Sequence, residues 1–153
     1  NVGVVKPTPG RVSVSRAKEA IVVSCTLDKH EQANEVLSSK FSGATIGNVL
    51  LGGLIGIAVD AASGANNKYP ERVTVIMTPT AFNSEAARDA HFDAQKSRIN
   101  TAAVTEIKRI RDTCNSNNRE LCREEEKPVV EARDRALQEI ERKRLAAKID
   151  PKA

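Results

Sequence analysis

Histidine, cysteine and carboxylate side chains do most of the chemistry available near neutral pH, and this chain sets few of them in a usable pattern. Its two histidines, His30 and His91, are solitary, with no His-x-x-x-His, no Gly-x-Ser-x-Gly and no local Cys/His signature. Asp89, His91 and Asp93 could grip a divalent ion on one helix, but only Asp89 and Asp93 share the four-residue spacing that puts side chains on one face. The stretch reads more simply as a solvated face. Asp60 is the one carboxylate in an apolar context, where capping or closing a turn fits better than catalysis. No catalytic, cofactor-binding or metal-ligating residue is assigned, and the chain is expected not to be an enzyme and to need no cofactor.

Cysteine is more informative. Cys114 and Cys122 flank Asn115-Ser116-Asn117-Asn118-Arg119-Glu120-Leu121, a stretch rich in turn residues. The spacing is a poor zinc signature, because Cys-x2-4-Cys and further ligands are missing. A disulfide across such a loop restricts the unfolded chain by roughly 2–3 kcal/mol and points to an oxidising compartment. Cys25 is the odd one out and reads as a core thiol in a buried strand.

The run from Gly47 to Ala65 has closely spaced glycines in an apolar context. Gly47-x4-Gly52-Gly53 imitates a phosphate loop, yet Gly53 and Leu54 stand where the lysine and the Ser/Thr must be. Nucleotide chemistry is not expected. Between Asn48 and Asp60 the apolar stretch, even fully helical, falls far short of the ~30 Å of hydrocarbon that a spanning helix crosses. Gly43/Gly47 and Gly52/Gly56 are spaced four apart, so on a helix they let another backbone approach. Gly47, Gly52, Gly53, Gly56 and Gly64 are therefore the candidate close-packing positions, within the chain, between chains or against lipid.

Charge divides the 153 residues in two. Residues 1–80 hold 8 Lys/Arg and 6 Asp/Glu, whereas residues 81–153 hold 16 and 14. Both signs are interspersed throughout, and the stacking aromatics are only Phe41, Tyr69, Phe82 and Phe92. A nucleic-acid reader wants a one-signed groove and stacking platforms, so nucleic acid is not an expected partner. The domain boundary falls near Pro79.

Before it, strands are expected at Arg11–Ser15, Ala20–Thr26 and Arg72–Thr78, with Glu31–Ser39 either strand or helical turn. Residues 45–62 are expected to form one helix or two short ones, ended by Gly64 as a C-cap. After it, Asn83 or Ser84 can cap a helix with Glu85 in its first turn. Its stripe runs through Phe92, Ile99, Ala103, Glu106 and Ile110, with Val104 and Ile107 alongside. A second helix from Asn118 to Ile149 has Leu121, Val129, Val130, Arg133, Leu137, Ile140 and Leu145 on or near its seam. Pro128 is expected to kink or interrupt it. Glu131/Arg135 and Glu139/Lys143 are favourable i,i+4 pairs. The fold class is α+β: a small β-rich module with a Gly-rich helical insertion at 43–65, then a long antiparallel two-helix hairpin whose seam is Ile99, Ile110, Leu137 and Ile140.

Several motifs of the first half, Thr8-Pro9-Gly10, Val12-Ser13-Val14, Val22-Val23-Ser24-Cys25, the Gly47-Asn48/Gly52-Gly53/Ile55-Gly56/Asp60/Gly64-Ala65 run and Tyr69-Pro70, resemble a bacterial envelope lipoprotein family related to PEGA-domain lipoproteins. The chain departs from the pattern at Lys29-His30, where Gly-Tyr is expected. The resemblance implies a β-rich module on the periplasmic side of an outer membrane, a strand at 31–39, and no catalytic residues. It further implies a signal peptide and a lipid-bearing cysteine upstream of Asn1, with a partner for Cys25 just before Asn1.

The expected function is that of a non-enzymatic structural or interaction protein of the bacterial envelope. It would be a periplasmic, outer-membrane-associated subunit of a secretion or motility apparatus or of a homo-oligomeric ring. The alternative is a module that binds cell-wall glycan or another small envelope ligand, for which the aromatic supply is thin. Replacing an interior helical glycine by a side chain ordinarily gains up to ~1 kcal/mol in propensity. At a close-contact position bulk should instead cost stability, so Gly56→Leu is expected to melt lower and assemble less completely. Unchanged melting and sedimentation would place Gly56 away from any tight contact.

Overall fold

Ser84 starts the longest run of regular structure: its backbone is extended and its Oγ accepts from Ala87 N at 3.2 Å. The helix that follows, α1 (Glu85–Asp112), keeps Glu85 in its first turn and Arg109 and Arg111 in its last, the charge order its dipole favours. A second helix, α2 (Arg119–Ala146), folds back on it; each has 28 residues and is therefore about 42 Å long. The computed structural model describes residues 3–6, 8–15, 21–37, 69, 73–115 and 117–152. The glycine run, with Gly47, Gly52, Gly53, Gly56, Asp60 and Gly64, lies outside the described residues, so the helical insertion expected there has no structural counterpart to set beside it.

One buried line joins the helices. Phe92, Gln95, Ile99, Ala103, Glu106 and Ile110 of α1 recur every three or four residues, and Cys122, Val129, Ala132, Ala136 and Ile140 of α2 do the same. Ile99, Ile110 and Ile140 are buried in this seam, and Leu137 packs against it half-buried. Val104, Leu121 and Leu145, expected on or beside the seam, are instead 64%, 60% and 69% exposed. Leu121 shows the reason: it is one residue, about 100° of helix, from buried Cys122. The buried face is set by alanines 103, 132 and 136, whose small side chains leave no need for the neighbouring leucines. Arg133, also placed near the seam, is half-buried in a salt bridge to Asp134.

Pro128 lies inside α2 without interrupting it. Proline lacks the N–H that would bond the Glu124 carbonyl, but burial of Cys122 on one side and Val129 on the other holds the helix to α1. Glu131 pairs with Arg135 at 3.7 Å, whereas Glu139 takes the two-pronged guanidinium of Arg142 and not Lys143. The tip is organised by asparagines: Asn115 Oδ1 accepts from Asn117 N and Asn118 N, and Asn118 Oδ1 accepts from Asn115 N at 2.6 Å.

α2 ends at Ala146, earlier than the expected Ile149, and Ala147 turns extended. Pro151 disfavours helix at Asp150, and the chain forms β4 (Lys148–Ile149), parallel to β3 (Ala81–Phe82). Asp150 N donates to Phe82 O at 2.8 Å, which ties the two ends of the hairpin region together.

The antiparallel pair β1 (Ile21–Cys25) and β2 (Ala33–Leu37) makes the molecule α+β, with Val23 opposite Glu35 and Cys25 opposite Ala33. The described part of the segment expected at 31–39 thus contains strand, Ala33–Leu37, and not helical turn. Alternation puts Ala33, Glu35 and Leu37 on the buried face of β2, while Val22 on β1 is 62% exposed. Cys25 is half-buried and free, not a core thiol. Lys29 adopts φ 56° in the turn closed by His30 N donating to Leu27 O, a left-handed backbone that glycine would occupy without a Cβ clash. Arg11–Ser15 and the described residues 73–78 are not strands. β-branched composition favours a pleated surface only where a ladder partner exists, and among the described residues this segment is followed by one isolated bridge, Pro79 with His30.

Ile140→Ala tests the seam. Truncating a packed core isoleucine costs ~2–5 kcal/mol, and the lower part of that range, about 2–3 kcal/mol, is expected where two helices can close on the gap. Urea unfolding followed by circular dichroism measures it; a loss below ~0.5 kcal/mol, the size of a surface substitution, would refute the burial assigned to Ile140.

Candidate functional site

His91 sits in the second turn of α1, where its ring meets Phe82 from β3 at 5.3 Å and Phe92 edge-on at 5.2 Å; Phe82 and Phe92 are themselves 5.7 Å apart. One helical turn on, Gln95 Nε2 lies 2.8 Å from His91 Nε2. Thr78 Oγ1 lies 3.4 Å from both nitrogens. Thr78 and Gln95 are almost wholly buried, so the foot of the hairpin holds a polar cluster inside an aromatic wall. Burial, and then the like charge of His30, lower the pKa of His91 below its ordinary 6.5. His30 Nδ1 is itself 2.9 Å from the carbonyl oxygen of Asp28.

This differs from the solvated face expected for Asp89, His91 and Asp93. The carboxylates do face outward, Asp89 to Arg88 and Arg144 and Asp93 to Lys96, but His91 turns in. Among the described residues no group of three or more His, Cys, Asp or Glu side chains is placed to hold a metal ion. The signal missed in the sequence was Gln95, a polar residue at a stripe position between Phe92 and Ile99. Thr78 gave no signal, since its partners are 13 and 17 residues away.

Beside this cluster runs a charged network that crosses between helices. Arg144 hydrogen-bonds Glu141 on its own helix and Asp89 on α1, and Lys96 of α1 reaches Glu141 at 2.6 Å. The guanidinium of Arg144, then the Lys96 ammonium, hold the Glu141 carboxyl down at about 2. Hydrogen bonds from Arg88 and then Arg144 lower Asp89 likewise. Nearer the tip, Arg111 grips Glu126 with two hydrogen bonds of 2.9 and 2.8 Å. Arg109 does the same for the buried carboxylate of Glu106.

Cys114 and Cys122 form a disulfide with their Cα atoms 6.2 Å apart, closing the tip of the hairpin. Open recesses of about 470 and 390 Å³ lie along α2, the larger lined by Arg135, Gln138, Glu139 and Arg142. Neither has an aromatic or a convergent donor set of the kind small-molecule sites use. No helix among the described residues is long and apolar enough to cross a membrane. No protein-family model, curated protein or solved structure matches the chain.

A carboxyl whose folded pKa is depressed stabilises the fold above its unfolded value and ceases to do so as pH falls through the folded one. Glu141 should therefore contribute fully above its ordinary 4.5 and progressively less down to about 2. Glu141→Gln is expected to be less stable than the parent in urea at pH 7, with the gap narrowing steadily below pH ~4.5. An equal gap at both ends of that range would show that Glu141 does not act through its charge.

Proposed function

We propose that the chain is a non-enzymatic structural or interaction protein of a bacterial envelope, a periplasmic subunit of a secretion or motility apparatus or of a homo-oligomeric ring. The observation that carries this reading is the Cys114–Cys122 disulfide at the tip of the hairpin. Disulfides persist in oxidising compartments, and a hairpin with a single seam gains most from one where its own core is thinnest. In this reading residues 1–80 are a PEGA-like β-rich module, with the glycine run at 43–65 as a helical insertion that packs closely on a neighbour. A lipid anchor upstream of Asn1 would hold it to the outer membrane.

The hairpin also supports the reading through its shape. An arm of about 42 Å, stapled at one end and clasped at the other, presents long charged faces of both signs. Charged faces of this kind select partners by complementarity and set association rates more than affinity. The seam is used up inside the hairpin, so contact with other chains falls to these faces and to the glycine-rich module.

The test is to alkylate thiols in intact cells, solubilise the envelope mildly and capture the full chain. Cys114 and Cys122 are expected to resist alkylation until reduced, and the chain to run as part of a large stoichiometric complex. Freely alkylated cysteines would remove the compartment argument. A monomer carrying a retained glycan would favour the ligand-binding alternative.

A further inference from the structure

Segment 78–82 is held from three directions. Towards the β1–β2 turn, Glu31 N donates to Thr78 O at 2.8 Å, and Thr80 N and Oγ1 donate to Lys29 O at 2.9 and 3.0 Å. Towards the end of the chain, Phe82 O accepts from Asp150 N at 2.8 Å. Towards α1, the segment is held by Thr78 Oγ1, which meets His91 and Gln95, and by the Phe82 ring. His91 is common to both of these last contacts.

We infer that His91 is a proton-operated latch: when its Nε2 takes up a proton, segment 78–82 loosens from α1 and carries with it both the β1–β2 turn and the C-terminal β4. The reasoning starts from two nitrogens 2.8 Å apart. An amide Nε2 can only donate, so the imidazole Nε2 must present a lone pair and the ring proton must be on Nδ1. An imidazolium has no lone pair, and N–H would then face N–H at hydrogen-bond distance. Rotating the Gln95 amide to offer Oε1 would remove that clash and, like the present orientation, leave one buried polar group of the amide unpaired. Gln95 Oε1 is buried with no hydrogen-bond partner among the described residues, and the rotation would put the NH2 group there instead.

The surroundings oppose the charge as well. Phe82 and Phe92 wall the ring, and Thr78 and Gln95 are neutral. Among the described residues the titratable group that acts on His91 from outside its own helix is His30, and it too disfavours the charged ring. On α1, Asp89 is engaged by Arg88 and Arg144, and Asp93 by Lys96. With its folded pKa below the ordinary 6.5, His91 holds the latch shut above that value, and the hold fades as pH falls from there through the lowered pKa.

The experiment uses the full chain. Nitrogen-15 NMR of the imidazoles reads the tautomer and the titration of His91, and amide hydrogen exchange, corrected for intrinsic rates, reads Glu31, Thr80 and Asp150. In neutral His91 the proton is expected on Nδ1. Protection of the three amides should fall about tenfold for each pH unit separating the folded and unfolded titrations. Cys122 N, bonded to Asn118 O at the tip, should keep its protection. His91→Phe should make the three amides insensitive to pH over this range. His30→Gln should raise the His91 midpoint and move the loss of protection upward with it. A neutral His91 protonated at Nε2 would overturn the latch, as would a loss of protection that stays put in His30→Gln while the midpoint moves.

Discussion

Among the described residues, α1 and α2 have chiefly one another to pack against, so the stability of this region must be gathered along a single line. That constraint explains the composition of the line. Alanine at 103, 132 and 136 lets the helices lie close, and Phe92, Ile99, Ile110, Val129 and Ile140 fill the space around them. A seam of small residues leaves little apolar area for each turn of helix, so the ends need fastening by other means. The disulfide fastens one end and the pairing of β3 with β4 the other.

Ion pairs reinforce the register that the seam sets. Sliding one helix by a turn would bring Ala132 to the place of Ala136 but would part Ile99, Val129 and Ile140 from the neighbours they pack against. It would also part Arg111 from Glu126 near the tip and Arg144 from Asp89 near the foot, pairs that specify the same antiparallel alignment. Exposed pairs contribute little stability singly, but they add to the cost of a wrong alignment. Glu106, inside the seam, is satisfied within α1 by Arg109, so that pair holds whatever the alignment of the two helices.

Local signals made the hairpin legible in the sequence. Three- and four-residue spacing marked the buried face of α1, Ser84 marked its start, and two cysteines around asparagines marked the turn. What escaped depended on contacts distant in the chain. Residues 73–78 have strand composition but little ladder to join among the described residues, and Lys148–Ile149 looks like the last turn of a helix until Pro151 and Phe82 are considered together. The inward turn of His91 was hidden for the same reason, since its environment is built by Thr78 and Phe82 and not by its helical neighbours alone.

The parallel pairing of Ala81–Phe82 with Lys148–Ile149 brings the entry and exit of a nearly 70-residue stretch side by side. Such a stretch is topologically closed at its root: its two ends lie together at almost one point. Evolution can lengthen, shorten or exchange an arm of this kind without disturbing what lies at its root, in the way that domain insertions are accepted where two chain ends adjoin.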